Sequence, residues 1–142
     1  MVPKHVKLLS FITVIVIYST MLVGTYVSKI GAGLACPDWP LCPEITSFGI
    51  LVEFLHRGFA MLSFILAVTT SLVLRSRREE ELKPAKKLAL AGLVAITVQV
   101  FFVGAQVIFS LLHPLLVTTH MGVALLVFGF YLGTALYLIQ LK

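Results

Sequence analysis

The chain has 142 residues, 59% hydrophobic and only 12% charged, with a formal net charge of +5. Soluble domains carry about a quarter charged residues, and a small globule leaves much of its surface wet, so this composition excludes a water-soluble enzyme. It also excludes disorder, which needs low hydrophobicity and high charge. A bilayer core takes about 20 apolar residues of helix, and four stretches meet that length. Residues 8–28 carry no charge. Lys4 and Lys7 precede them as in a signal peptide, but the run is too long for that apolar region and no small-residue cleavage site follows cleanly; it reads as a retained span. Residues 50–74 are apolar except for Glu53, His56 and Arg57 near the start, and 88–112 and 114–140 have no formal charge. The expectation is an all-α integral membrane four-helix bundle, one domain over 1–142, with a loop at 29–49 and another at 75–87.

The cationic residues are sorted by loop. Arg75, Arg77, Arg78, Lys83, Lys86 and Lys87 lie between the second and third spans, and Lys4 and Lys7 in the N-terminal tail. Lys and Arg in short loops stay cytoplasmic, so both termini are expected inside and the 29–49 loop outside. The basic charge is thus a topology signal, and no nucleic-acid partner is expected.

An internal repeat joins the spans in pairs. The second span reads His56-Arg57-Gly58-Phe59-Ala60-Met61-Leu62 and the fourth His120-Met121-Gly122-Val123-Ala124-Leu125-Leu126, both H-x-G-x-A-x-L. Val23-Gly24-Thr25-Tyr26-Val27 in the first matches Val103-Gly104-Ala105-Gln106-Val107 in the third as V-G-x-x-V. Copies offset by two spans keep one orientation and are related by an axis along the membrane normal. His56 and His120 then lie at one depth, roughly 9–10 Å inside the outer end at 1.5 Å per residue. Each is readable as a hydrogen-bonding residue between helices; as a matched pair of costly intramembrane imidazoles they suit the two axial positions of a haem iron.

Ala60 and Ala124 follow each histidine by four residues, on the same helical face, where they leave space for a flat macrocycle. Gly24 and Gly104 either add to that space or serve close packing. Gly58 and Gly122 point off the ligand face and are read as packing residues, as is the Gly129-x-x-x-Gly133 pair. Glu53 lies one turn before His56, and its repeat counterpart, Val117, is apolar. The carboxylate either moves protons and holds a charged intermediate or neutralises Arg57, four residues on. Arg57 alternatively meets a haem propionate.

The first repeat alone carries an insertion, Gly31 to Pro43, with both cysteines, three prolines and the single Trp. Facing an oxidising side, Cys36 and Cys42 are a disulfide candidate, either a structural clip or a redox pair. Gln99 and Gln106, seven apart, are expected to bond between helices. His113 belongs to the headgroup region and His5 to the basic tail.

Taken together, Gly24-Thr25-Tyr26-Val27, the Gly-Leu-Ala-Cys-Pro-Asp-Trp-Pro-Leu-Cys loop ending at Cys42, Glu53-Phe-Leu-His56-Arg57 and Thr119-His120 resemble the haem A synthase family over nearly the whole chain. The resemblance implies oxidation of the C8 methyl of haem O to a formyl group by successive hydroxylations, in a prokaryotic cell membrane. It implies His56 and His120 as axial ligands, Glu53 as the catalytically important carboxylate and Cys36/Cys42 as the outer-loop pair. It further implies haem B as cofactor, with haem O as substrate and haem A as product. The haem A would serve a terminal oxidase, and haem O synthase is a potential assembly partner. Members of that family usually have eight helices in two halves, so one histidine-pair bundle implies a homo-oligomer in the lipid bilayer, most simply a homodimer. Two other readings stand beside it: a bis-histidine electron-transfer cytochrome without haem modification, and a membrane thiol oxidase using the outer cysteines.

Overall fold

The structure is a computed structural model and describes residues 2–36, 38, 42, 44–105 and 113–141. Among these residues the regular secondary structure is all helical, with no strand. Helix α1 spans Lys4–Lys29 and α2 Phe48–Arg75; a 3-10 turn, Glu80–Leu82, leads into α3, Lys83–Val98, which continues through a π turn, Gln99–Val103; α4 spans Pro114–Gln140. Counting those turns with α3, all four are long and apolar enough to cross a membrane, and the molecule is an integral membrane protein.

Local chemistry accounts for the ends. Ser47 caps α2, its hydroxyl accepting from the Ile50 amide at 3.3 Å, which satisfies one of the orphan N–H groups of a helix start. Proline opens the first turn of both α3 and α4, where its missing N–H costs nothing. After α1, Gly31 turns the chain at φ +69°, a left-handed conformation that side chains resist. Helix α1 begins before the apolar run, because lysine stems lie along the helix while their ammonium groups reach water.

The pairs α1/α2 and α3/α4 pack most extensively, and α1/α4 and α2/α3 contacts close the ring. Helices α2 and α4 therefore stand at opposite corners. Two buried clusters fill the half of the bundle towards the termini, one around Ile17, Ala67, Ile96 and Tyr131, the other around Val6, Leu74, Ala85 and Leu138. Tyr131 is fully buried against Gly92, where an added Cβ would come within 2.7 Å of its ring, and its hydroxyl donates to the Ala67 carbonyl at 3.1 Å. At this end Arg77 meets His5, Lys7 donates to the Leu141 carbonyl and Tyr137 donates to the Glu81 carbonyl. Both termini and the basic segment thus share one end. Large apolar side chains such as Phe11, Ile15, Leu72 and Leu136 remain exposed around the outside, as a lipid-facing surface requires.

Three glycines correct the expected packing. Gly58, Gly122 and Gly129 have no neighbour within 4 Å of an added Cβ. Two residues beyond an inward histidine, a helix has turned by about 200°, so Gly122 faces away from the bundle, whereas Gly58 borders the cavity described below without packing against another helix. Gly133 alone of that last pair packs, at 3.5 Å from Leu88.

Candidate functional site

Towards the end bearing the cysteine loop the four helices part around a cavity of about 980 Å³. That is at the upper end of the range of cofactor and ligand sites, about 300–1,000 Å³. His56 and His120 both line it, together with Ala60, Ala124, Gly24, Gly104, Gln99 and Ser63. The structure therefore brings the two repeat histidines, one from each opposite corner, to a single mostly apolar space.

Each imidazole is backed by the glycine of its own helix pair. A Cβ on Gly24 would lie 2.6 Å from His56 Cε1, and one on Gly104 would lie 3.7 Å from His120 Cε1. The V-G-x-x-V motif is thus where α1 and α3 approach the histidine rings. At Gly24 the space goes to the imidazole itself, which decides between the two readings of that residue. Both rings are also hydrogen-bonded at Nδ1: His56 to the Thr20 carbonyl at 3.2 Å, and His120 to the side-chain nitrogen of Gln99 at 3.2 Å. Gln99 also donates to the His120 carbonyl at 2.9 Å. Sequence reasoning placed Gln99 between helices but did not connect it with His120, and it missed Thr20.

Glu53 and Arg57 line the same cavity, and the cysteine loop ties them down. Glu53 is only 3% exposed. One carboxylate oxygen takes a hydrogen bond from Arg57 Nη2 at 2.5 Å and the other from the Cys36 amide at 2.8 Å. Arg57 further donates to the Cys36 carbonyl at 3.1 Å and to the Asp38 carbonyl. Cys36, fully buried, is disulfide-bonded to Cys42; closing so small a ring contributes about 2 kcal/mol in the chain-entropy model. The loop and the ion pair form one connected unit at the cavity wall that His56 also lines, which sequence spacing could not reveal. His113 is exposed at the start of α4, His5 lies at the other end of the molecule, and Gln106 lies outside the described residues.

The residues fit a macrocycle held by two imidazoles: paired ring nitrogens on opposite walls, small residues beside them and an apolar lining. Comparison with known proteins points the same way. A protein of Oceanobacillus iheyensis named "Heme A synthase" is 34% identical over 128 residues, covering 80% of this chain and 40% of that protein. The chain is a relative of the haem A synthases. Proteins of the same name from Exiguobacterium sp. and Bacillus pumilus are 34% and 28% identical, covering 84% and 94% of this chain and 40% and 45% of their own lengths. The chain thus spans less than half the length of these curated haem A synthases. No protein-family model matches it.

Proposed function

We propose that this chain is a haem A synthase unit, an oxidoreductase that takes haem O as substrate and converts its C8 methyl to a formyl group. The observation that carries the reading is the pair of Nδ1-tethered histidines on opposite corners of one apolar cavity. His56 and His120 would hold the iron, and Ala60 and Ala124 leave space beside them for a flat macrocycle. When bound, haem supplies the iron and its redox chemistry. Glu53 lies one turn from His56 at the cavity wall, where its carboxylate is placed to hold or move a proton. Arg57 keeps that carboxylate oriented and the loop closed over it.

Haem B as resident cofactor requires a second histidine-pair bundle, which a second copy of the chain would supply. Haem O synthase and a terminal oxidase are the assembly partners this chemistry calls for. The basic end, with both termini, is assigned to the cytoplasm and the disulfide loop to the outer side.

The test is expression of the chain with haem O available, electron supply included, and mass analysis of the extracted haems. Haem A or its hydroxylated precursor is expected; unmodified haem O alone would defeat the enzyme reading. One observation favours a second reading, an electron-transfer cytochrome: both Glu53 oxygens are already occupied by Arg57 and the Cys36 amide, as in a purely structural tie. Glu53→Gln separates the two, since an enzyme would keep its haem and lose turnover.

A further inference from the structure

The two histidines are held by partners of opposite kind. The Thr20 carbonyl can only accept, so His56 carries its proton on Nδ1 and leaves the Nε2 lone pair free. The side-chain nitrogen of Gln99 can only donate, so His120 Nδ1 supplies a lone pair there and the ring proton sits on Nε2. A neutral imidazole protonated at Nε2 cannot offer that nitrogen to a metal, and the partner at the far nitrogen is what selects the tautomer.

Gln99 is itself unusual. It is 9% exposed, it opens the π turn Gln99–Val103, and its side-chain oxygen is buried without a partner among the described residues. Such turns concentrate at functional positions, and an unsatisfied buried acceptor is costly enough to need a reason. The repeat register that pairs Gly24 with Gly104 puts Ser19 opposite Gln99. No matching amide therefore acts on His56.

We infer that Gln99 is a positioning residue that makes His120 the exchangeable member of the pair, a statement that rests on the haem-binding reading above. His56 is ready to bind iron through Nε2. His120 becomes a ligand when its ring proton moves from Nε2 to Nδ1 and the Gln99 amide turns, so that the orphaned oxygen accepts that proton. Nε2 would then be free to hold the iron, and the amide exchanges its bond to the His120 carbonyl for one to the ring. A water molecule relays the proton, giving one to Nδ1 and taking the one on Nε2, so no electron is transferred and nothing is consumed. A firm ligand on one face and a releasable one on the other is what entry and exit of a haem substrate require.

The experiment uses the purified full chain loaded with haem B as probe. His56→Ala is expected to lose the haem, whereas His120→Ala keeps it in five-coordinate, high-spin form. Gln99→Glu offers His120 Nδ1 only acceptors, so carbon monoxide affinity of the ferrous form should fall by about tenfold or more, the usual scale of such outer partners, and the midpoint potential should drop. Gln99→Met, which keeps the volume but removes the hydrogen bonds, should fall between wild type and Gln99→Glu. Unchanged affinity and potential in haem-loaded Gln99 variants would overturn the inference alone. The reverse pattern of haem retention in the two histidine variants would do the same. Should Gln99→Glu not fold, Gln99→Met and the histidine variants decide. A wild-type chain that binds no haem overturns both this inference and the haem-binding reading.

Discussion

At Gly24 a single methyl group reaches the proposed ligand. The added carbon would sit 2.6 Å from His56 Cε1, and the ring cannot retreat without lengthening its bond to the Thr20 carbonyl. Overpacking of this kind costs about 1–3 kcal/mol, so Gly24→Ala should weaken haem retention by about tenfold, since each 1.4 kcal/mol is a factor of ten. Gly122→Ala is the control. Nothing lies within 4 Å of its added carbon, and alanine gains about 1 kcal/mol over glycine in a helix interior; haem content should hold and thermal stability in detergent should rise slightly. The contrast also marks how far residue-level reading went. Ionisable residues in apolar spans drew attention to His56, His120 and Glu53, and i, i+4 spacing foresaw the Glu53–Arg57 pair. The Cys36 amide on Glu53 was not legible, because no periodicity specifies how a proline-rich loop folds back on a helix.

Between elements, the α1/α2 contact depends on hydroxyl groups as well as apolar area. Thr13 pairs with Thr70 at 2.9 Å and Thr20 with Ser63 at 2.8 Å. In a membrane helix bundle such bonds contribute about 0.6 kcal/mol on average, up to about 1.7. A double-mutant cycle on Thr13→Val and Thr70→Val should therefore return a coupling of about 0.5–1.5 kcal/mol in denaturant unfolding in detergent. Zero coupling would show that the pair only fills space. Hydropathy foresaw the four helices, because the bilayer demands length and apolarity of each. The π turn escaped it: Gln99–Val103 is as apolar as its surroundings apart from Gln99, and a bulge that shifts register by one residue leaves no compositional trace. That shift is why Gln99 was not connected with His120.

For the molecule as a whole, the two ends have different chemistry. One end gathers Lys7, Arg77, the C-terminus of α4 and the segment around Glu81 through mutual hydrogen bonds, above a tightly buried cluster. The other opens into the cavity under a disulfide-closed loop. In the proposed orientation the first end, with its Lys and Arg in short loops, is cytoplasmic, and the second, with its disulfide, faces an oxidising compartment. These are independent arguments, and they agree. A single cysteine at position 76, between α2 and the 3-10 turn, in a Cys36→Ser, Cys42→Ser background should resist an impermeant maleimide in intact cells and react after lysis. A cysteine at position 45, in the exposed approach to α2, should react in both. Equal labelling of the two in intact cells would reject the assignment. Neutralising Arg77, Arg78, Lys86 and Lys87 together should then produce a mixed population, because in the proposed topology those charges set the orientation.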